Sequence, residues 1–113
     1  MNGCVFCTLI ETEIIVENEL AQAFFDKYPV SAGHVLIVPK RHAVSLFEAT
    51  QAELESVGKL LILVKELLDQ RFHPAGYNIG VNVGEVAGQT IFHWHVHVIP
   101  RYHGDAGLVK WHA

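Results

Sequence analysis

A chain of 113 residues, half of them hydrophobic and 18% charged, can bury the core of one domain; disorder is excluded and a second domain has little room. Eight Lys and Arg against twelve Asp and Glu leave a net charge of -4, which argues against a nucleic-acid partner. No apolar run approaches the roughly 18 residues a membrane span needs, and the opening MNGCVFC lacks the basic region of a secretory signal, so a cytoplasmic domain with no membrane partner is expected.

Cys4 to Ile10 is short and apolar and reads as one or two helical turns. Ile14-Ile15-Val16 and Leu20 to Phe25 are β-branched or aromatic runs, and Glu17-Asn18-Glu19 between them predicts a hairpin. Pro29, Ser31 and Gly33 mark a loop before a third strand, His34 to Val38, which Pro39 ends. Thr50-Gln51-Ala52-Glu53 has the capping-box pattern, so a long helix starts there. Leu54, Val57, Leu61, Val64 and Leu68 follow at helical spacing, and Leu60, Leu63 and Leu67 add a second apolar strip. A helix on the outside of a small sheet needs one apolar face. The second strip is therefore either buried under loops or a contact between copies, and the short chain favours a homodimer through the 50–72 helix.

His73-Pro74-Ala75-Gly76 ends that helix. A strand from Tyr77 to Val83 follows, then a Gly-rich connection, Gly84 to Gly88, and a last strand from Ile91 to Ile99 that Pro100 stops. This order predicts a single α+β domain over residues 1–113. Its mostly antiparallel, five-stranded sheet carries one long and one short helix.

Eight histidines are about three times an ordinary share, and three of them fall at 93, 95 and 97. Alternate strand residues point to opposite faces, so His93, His95 and His97 share one face while Trp94, Val96 and Val98 share the other and anchor on the core. A solvated edge would carry Lys, Glu or Thr instead. Two chemistries fit the row: alternating imidazoles as zinc ligands, or one neutral imidazole as nucleophile with its neighbours donating to an anion. Ahead of it, Gly84-Glu85-Val86-Ala87-Gly88-Gln89-Thr90 offers backbone N–H groups, an amide and a hydroxyl that could face a phosphate, without the Lys and spacing of a nucleotide P-loop.

The run Gly88-Gln89-Thr90-Ile91-Phe92-His93-Trp94-His95-Val96-His97-Val98-Ile99-Pro100-Arg101 resembles the signature of the histidine-triad (HIT) superfamily. Ala23-Phe24-Phe25-Asp26, Gly33-His34-Val35-Leu36-Ile37-Val38-Pro39-Lys40-Arg41-His42 and Asn82 extend the likeness over nearly the whole chain. The resemblance implies a hydrolase in which His95 attacks the α-phosphorus of a bound nucleotide, forming a nucleotidyl-histidine that water releases as a nucleoside monophosphate. An imidazole held in one tautomer by a backbone acceptor suits that role. By the same resemblance His97, Gln89 and Thr90 donate to phosphate oxygens, with loop amides adding to them. Asn82 approaches the phosphate, Asp26 takes the ribose hydroxyls, and His34 sits behind the triad at the substrate site. Val5, Phe6, Leu9 and Phe24 line a slot for the base; without the resemblance, core packing would be their reading.

Cys4-Val5-Phe6-Cys7 alone is ambiguous between a redox pair, half a zinc site and two buried thiols. The resemblance to bacterial members of the superfamily implies a structural zinc held by Cys4, Cys7, His42 and His93. Any magnesium requirement would arise from polyphosphate charge.

The implied partner is a purine nucleotide or dinucleoside polyphosphate. Pro100-Arg101-Tyr102-His103-Gly104-Asp105 resembles the polyphosphate-hydrolase branch, and the tail through Val109-Lys110-Trp111 lacks the Trp-Pro of the phosphoramidase branch. A phosphoramidase and a non-catalytic nucleotide-binding protein are the alternatives. His73, His103 and His112 carry no usable pattern.

Overall fold

The computed structural model describes residues 4–9 and 13–105. Ile10, His112 and the Val109–Trp111 tail, which figured in the sequence reading, lie outside them. The N-terminal expectation becomes a 3-10 turn, Val5–Cys7. Two strands, β1 (Ile14–Glu17) and β2 (Ala21–Phe25), form the expected hairpin. Its turn is made by Asn18, whose Oδ1 accepts from the Leu20 and Ala21 amides while its Nδ2 donates to Ser56 O and ties the hairpin to the long helix. The third strand, β3, covers Val35–Pro39, and α1 covers Gln51–Phe72. Strands β4 (Gly76–Gly80) and β5 (Val96–Arg101) complete a five-stranded sheet in the order β1-β2-β3-β5-β4, every pair antiparallel. The α+β expectation holds. No helix of the described residues is long and apolar enough to cross a membrane.

Alternation sorts the two faces. Ala21, Ala23, Val35, Ile37, Val96 and Val98 point toward α1 and pack with its Val57, Leu60, Val64 and Leu68; Trp94 joins the same cluster. Phe24, Leu36 and Val38 point the other way and gather Phe6 over them. The paired strands carry His97 to that second face, opposite Leu36.

Three expectations are corrected. The buried stripe of α1 combines members of both apolar strips, Val57, Leu60, Val64 and Leu68, and Leu54, Ile62 and Leu63 face outward; the sheet offers one surface, so only one stripe can meet it. Strand β4 is shorter than Tyr77–Val83, because the chain leaves the sheet after Gly80 toward the Gly84–Gly88 turn. The last strand begins at Val96 rather than Ile91, and it runs through Pro100 rather than stopping before it. Its N-terminal approach is held elsewhere: Trp94 N–H donates to Ala43 O. Pro100 is tolerated because β3 pairing has ended at Val98, so its missing N–H forfeits no bond on that side.

The α1 N-terminus carries the predicted capping box, with Thr50 Oγ1 accepting from Glu53 N and Glu53 Oε1 accepting from Thr50 N. Glu53 is nevertheless buried, and its carboxylate is clasped by Arg41 through Nε (2.9 Å) and Nη2 (2.8 Å). Arg41 holds this carboxyl below the usual range; burial opposes, and the Thr50 amide and hydroxyl assist. A lowered folded value means the stabilisation is complete above the ordinary glutamate range and is lost as pH falls through that lowered value. Glu53→Gln should therefore melt below wild type at neutral pH and converge with it in acid, when thermal unfolding is followed by circular dichroism across pH. A gap that stays constant into strong acid would contradict this.

Candidate active site and metal cluster

Strand pairing sets His97 beside His34, 63 residues away in sequence, and the approach to β5 sets His93 beside the N-terminal turn. All four of His34, His93, His95 and His97 are buried. Burial disfavours a charged ring. It is the leading cause that lowers His34, His93 and His97 from their ordinary value, His97 to about 3. Neutral imidazoles carry one donor and one acceptor nitrogen, so each tautomer follows from its partners.

For His95, Nδ1 lies 2.8 Å from the His93 carbonyl. A carbonyl only accepts, so Nδ1 carries the hydrogen and Nε2 the lone pair. In His93 itself, Nε2 donates to Pro39 O at 2.7 Å, which turns the Nδ1 lone pair toward Cys4 Sγ (3.4 Å) and Cys7 Sγ (3.5 Å). Cys7 Sγ is 3.3 Å from His42 Nδ1, and one ligand atom from each of Cys4, Cys7, His42 and His93 lies within 4.8 Å of the others. Burial, then Cys4, pushes the Cys7 thiol up to about 11.

His34 Nδ1 accepts from the Val30 amide at 3.0 Å, which leaves its hydrogen on Nε2. That nitrogen is 2.9 Å from His97 Nδ1 and 3.5 Å from Asp26 Oδ2. His97 Nδ1 is thus an acceptor, and the His97 hydrogen sits on Nε2. The grouping Asp26, His34 and His97 could also be read as metal-ligating, but two imidazoles suit magnesium poorly, and the hydrogen-bond chain accounts for it.

The apolar residues expected around a base are brought together in part. Phe6 and Phe24 are 5.3 Å apart in one buried cluster with Leu9 at its edge, and the Phe6 ring stands edge-on to His95 at 5.0 Å. Val5 is not in that cluster and is 57% exposed, because the 3-10 turn directs Phe6 inward and Val5 outward.

Gln89 departs further from expectation. Its Nε2 donates to Val44 O and Ile91 O, and its Oε1 accepts from Gly84 N. The amide is buried with both its nitrogen and its oxygen on main-chain partners, so Gln89 braces the loop. The loop amides are also turned inward. Ala87 and Gln89 donate to Gly84 O, and Gly88 donates to Glu85 O. Gly84 and Gly88 permit this with φ of +91° and +102°. Asn82 Nδ2 borders Gly88 O at 3.5 Å, and Thr90 is exposed beside the loop. Arg101 bridges Asn78 Oδ1 and Asp105 Oδ2.

Sequence reasoning expected a backbone acceptor for one imidazole but not which groups set the tautomers: the Val30 amide and the carbonyls of Pro39 and His93. These are main-chain atoms, which any residue supplies, so no side-chain pattern could reveal them.

An unfolded histidine takes up a proton near about 6.5, whereas folded His97 does so only at about 3. Between those values the unfolded state binds more protons, so stability falls steadily as the pH drops through that window. In a 15N NMR titration the His97 ring should keep its neutral shifts at pH 5. A midpoint at the ordinary value would mean that the ring is hydrated.

The HIT domain family model matches residues 8–104. Similar proteins include a 16.1 kDa HIT-like protein of Mycoplasma pneumoniae, 42% identical over 95% of this chain and 77% of that one. The adenosine 5'-monophosphoramidase of Schizosaccharomyces pombe is 36% identical over 96% and 83%. Among solved structures, a HIT family protein from Bacillus anthracis superposes with a TM-score of 0.85 at 33% identity, over 98% of this chain and 84% of that one. A Zn-bound histidine triad family protein from Mycobacterium smegmatis gives 0.81 at 32% identity, over 91% and 78%. Buried triad, five-stranded sheet and family match agree over almost the full length, and the chain belongs to the HIT family.

Proposed function

We propose that the chain is a nucleotide hydrolase acting through a covalent nucleotidyl-histidine. The observation that carries this reading is the contact from His95 Nδ1 to the His93 carbonyl, because in the neutral ring it leaves Nε2 as the nucleophilic nitrogen. That nitrogen attacks the α-phosphorus; a P–N bond forms and the bond to the leaving group breaks. Water then attacks the same phosphorus, the P–N bond breaks, and a nucleoside monophosphate leaves with His95 restored. His97, with its hydrogen on Nε2, donates to the phosphate oxygens as charge builds on them, and Thr90 and Asn82 add donors from the loop side. Asp26 binds the ribose hydroxyls. Phe6, Leu9 and Phe24 hold a purine base, with Val5 at the exposed rim.

Dinucleoside polyphosphates are the proposed substrates. A second reading, hydrolysis of nucleoside phosphoramidates, is favoured by the likeness to the Schizosaccharomyces pombe adenosine 5'-monophosphoramidase. Quench and mass spectrometry with diadenosine tetraphosphate and adenosine phosphoramidate in parallel tests both. Wild type should release AMP through an acid-labile adduct that His95→Ala does not form, with activity lower by at least about 10³-fold. The faster substrate assigns the branch. Binding of nucleotide without turnover of either would sink the enzyme reading and favour a non-catalytic nucleotide-binding protein.

Zinc is proposed for the Cys4, Cys7, His42 and His93 cluster. A zinc tetrahedron with Zn–S and Zn–N bonds of about 2.3 and 2.05 Å has S–N edges of roughly 3.5 Å, and three of the four thiol–imidazole separations are 3.3, 3.4 and 3.5 Å. The Pro39 carbonyl also turns the correct His93 nitrogen toward the thiols, as an outer partner of a metal ligand should. When bound there, zinc supplies a structural crosslink between the N-terminal turn and the sheet. A homodimer is proposed through α1, where Ile62 and Leu63 are 63% and 47% exposed. Native mass spectrometry should find a dimer carrying one zinc per chain. A monomer at micromolar concentration would remove the dimer, and metal-free chains with both thiols titratable would remove the zinc site.

A further inference from the structure

The loop between β2 and β3 lies outside the reacting groups, yet one of its amides, with the Asp26 carboxylate 3.5 Å from His34 Nε2, sets which His97 nitrogen bears the hydrogen. Val30 N–H donates to His34 Nδ1, so His34 donates from Nε2 to His97 Nδ1, and His97 is protonated on Nε2. Were that amide withdrawn, His34 could place its hydrogen on Nδ1 and accept at Nε2 instead. His97 would then donate from Nδ1 and turn a lone pair, rather than a hydrogen, toward a phosphate oxygen. A lone pair facing an anion repels it.

What holds Val30 in place comes from the far end of β5. Ser31 Oγ donates to Pro100 O at 2.6 Å, and Tyr102 Oη donates to Ala32 O at 2.5 Å. These bonds flank the residue immediately after Val30 and the one after that. From beneath, Gly33 adopts φ of +88° against Phe72, where an added Cβ would lie 2.9 Å from the ring. The Pro100 carbonyl is open to Ser31 because β3 stops pairing at Val98. The loop is therefore tied to the strand that carries His97 and to the residue just after it.

We infer that Ser31 and Tyr102 are positioning residues that hold the Val30 amide on His34 and thereby fix His97 as a hydrogen-bond donor to the substrate phosphate. The assignment deepens the proposed hydrolase reading, and its catalytic consequence rests on that reading. The tautomer clamp itself is a property of the protein without substrate.

The test is long-range 1H–15N NMR of the full chain as wild type, Ser31→Ala, Tyr102→Phe and the double variant. Turnover of diadenosine tetraphosphate and adenosine phosphoramidate is measured alongside. In wild type both His34 and His97 should show a protonated Nε2 and a bare Nδ1. The double variant should show mixed tautomers at both rings and a kcat lower by about tenfold, the scale of one or two lost neutral hydrogen bonds, with KM little changed. Ser31→Thr should keep the wild-type signature. Unmixed Nε2–H rings in the folded double variant, or a wild-type His97 protonated on Nδ1, would overturn the inference. If the double variant does not fold, the single variants decide: a shifted His34 signature in either supports the clamp, and unchanged signatures in both overturn it. A wild type with the expected tautomers and no turnover of either substrate supports the clamp while removing the proposed activity, so the two failures are distinguishable.

Discussion

Burial disfavours a charged imidazole, and a buried ring in its neutral form must give one nitrogen a hydrogen and the other an acceptor's role. Four such rings meet on one side of this sheet, and the chemistry of each depends on which nitrogen donates. The main chain makes that choice. Pro39 O and His93 O take hydrogens from His93 and His95, and Val30 N–H gives one to His34. Pro39 ends the central strand β3, and Val30 and His93 lie in the segments that lead into β3 and β5, so the proton pattern follows the path of the main chain.

His93 joins two parts of the site. Its ring faces the two thiols while its carbonyl receives the His95 ring, so a group held at Cys4 and Cys7 bears on His95 through a single residue. Phe6, between the cysteines, adds a second route by standing edge-on to both His93 and His95. His42 is brought in by the turn after β3, which Arg41 secures to the first turn of α1 through Glu53. The helix thus supports the site from the opposite face without contributing a reacting group.

Much of the architecture was legible from local pattern. Asn18 makes its turn because a short amide side chain mimics a backbone acceptor, and Thr50 and Glu53 cap α1 because their spacing allows reciprocal bonds to the free amides. The alternation of histidine with Trp94 and Val96 correctly divided the two faces, Trp94, Val96 and Val98 meeting the α1 side, although the pleat itself begins only at Val96. Patterns that depend on a partner were not legible. The two apolar strips of α1 were equivalent in sequence until the sheet selected Val57, Leu60, Val64 and Leu68. Gln89 has the chemistry of a phosphate donor, and only the proximity of Val44, Ile91 and Gly84 shows that its amide is already engaged.

The sequence by itself determined the fold class, the helix and its cap, the hairpin, and the shared face of His93, His95 and His97. These follow from periodicity and side-chain chemistry, which are local. Tertiary structure alone decided that β3 lies between β2 and β5, and that Cys4 and Cys7 come within reach of His93 across more than eighty residues. It also decided which nitrogen of each imidazole holds the hydrogen, because that depends on main-chain groups whose positions no residue identity encodes.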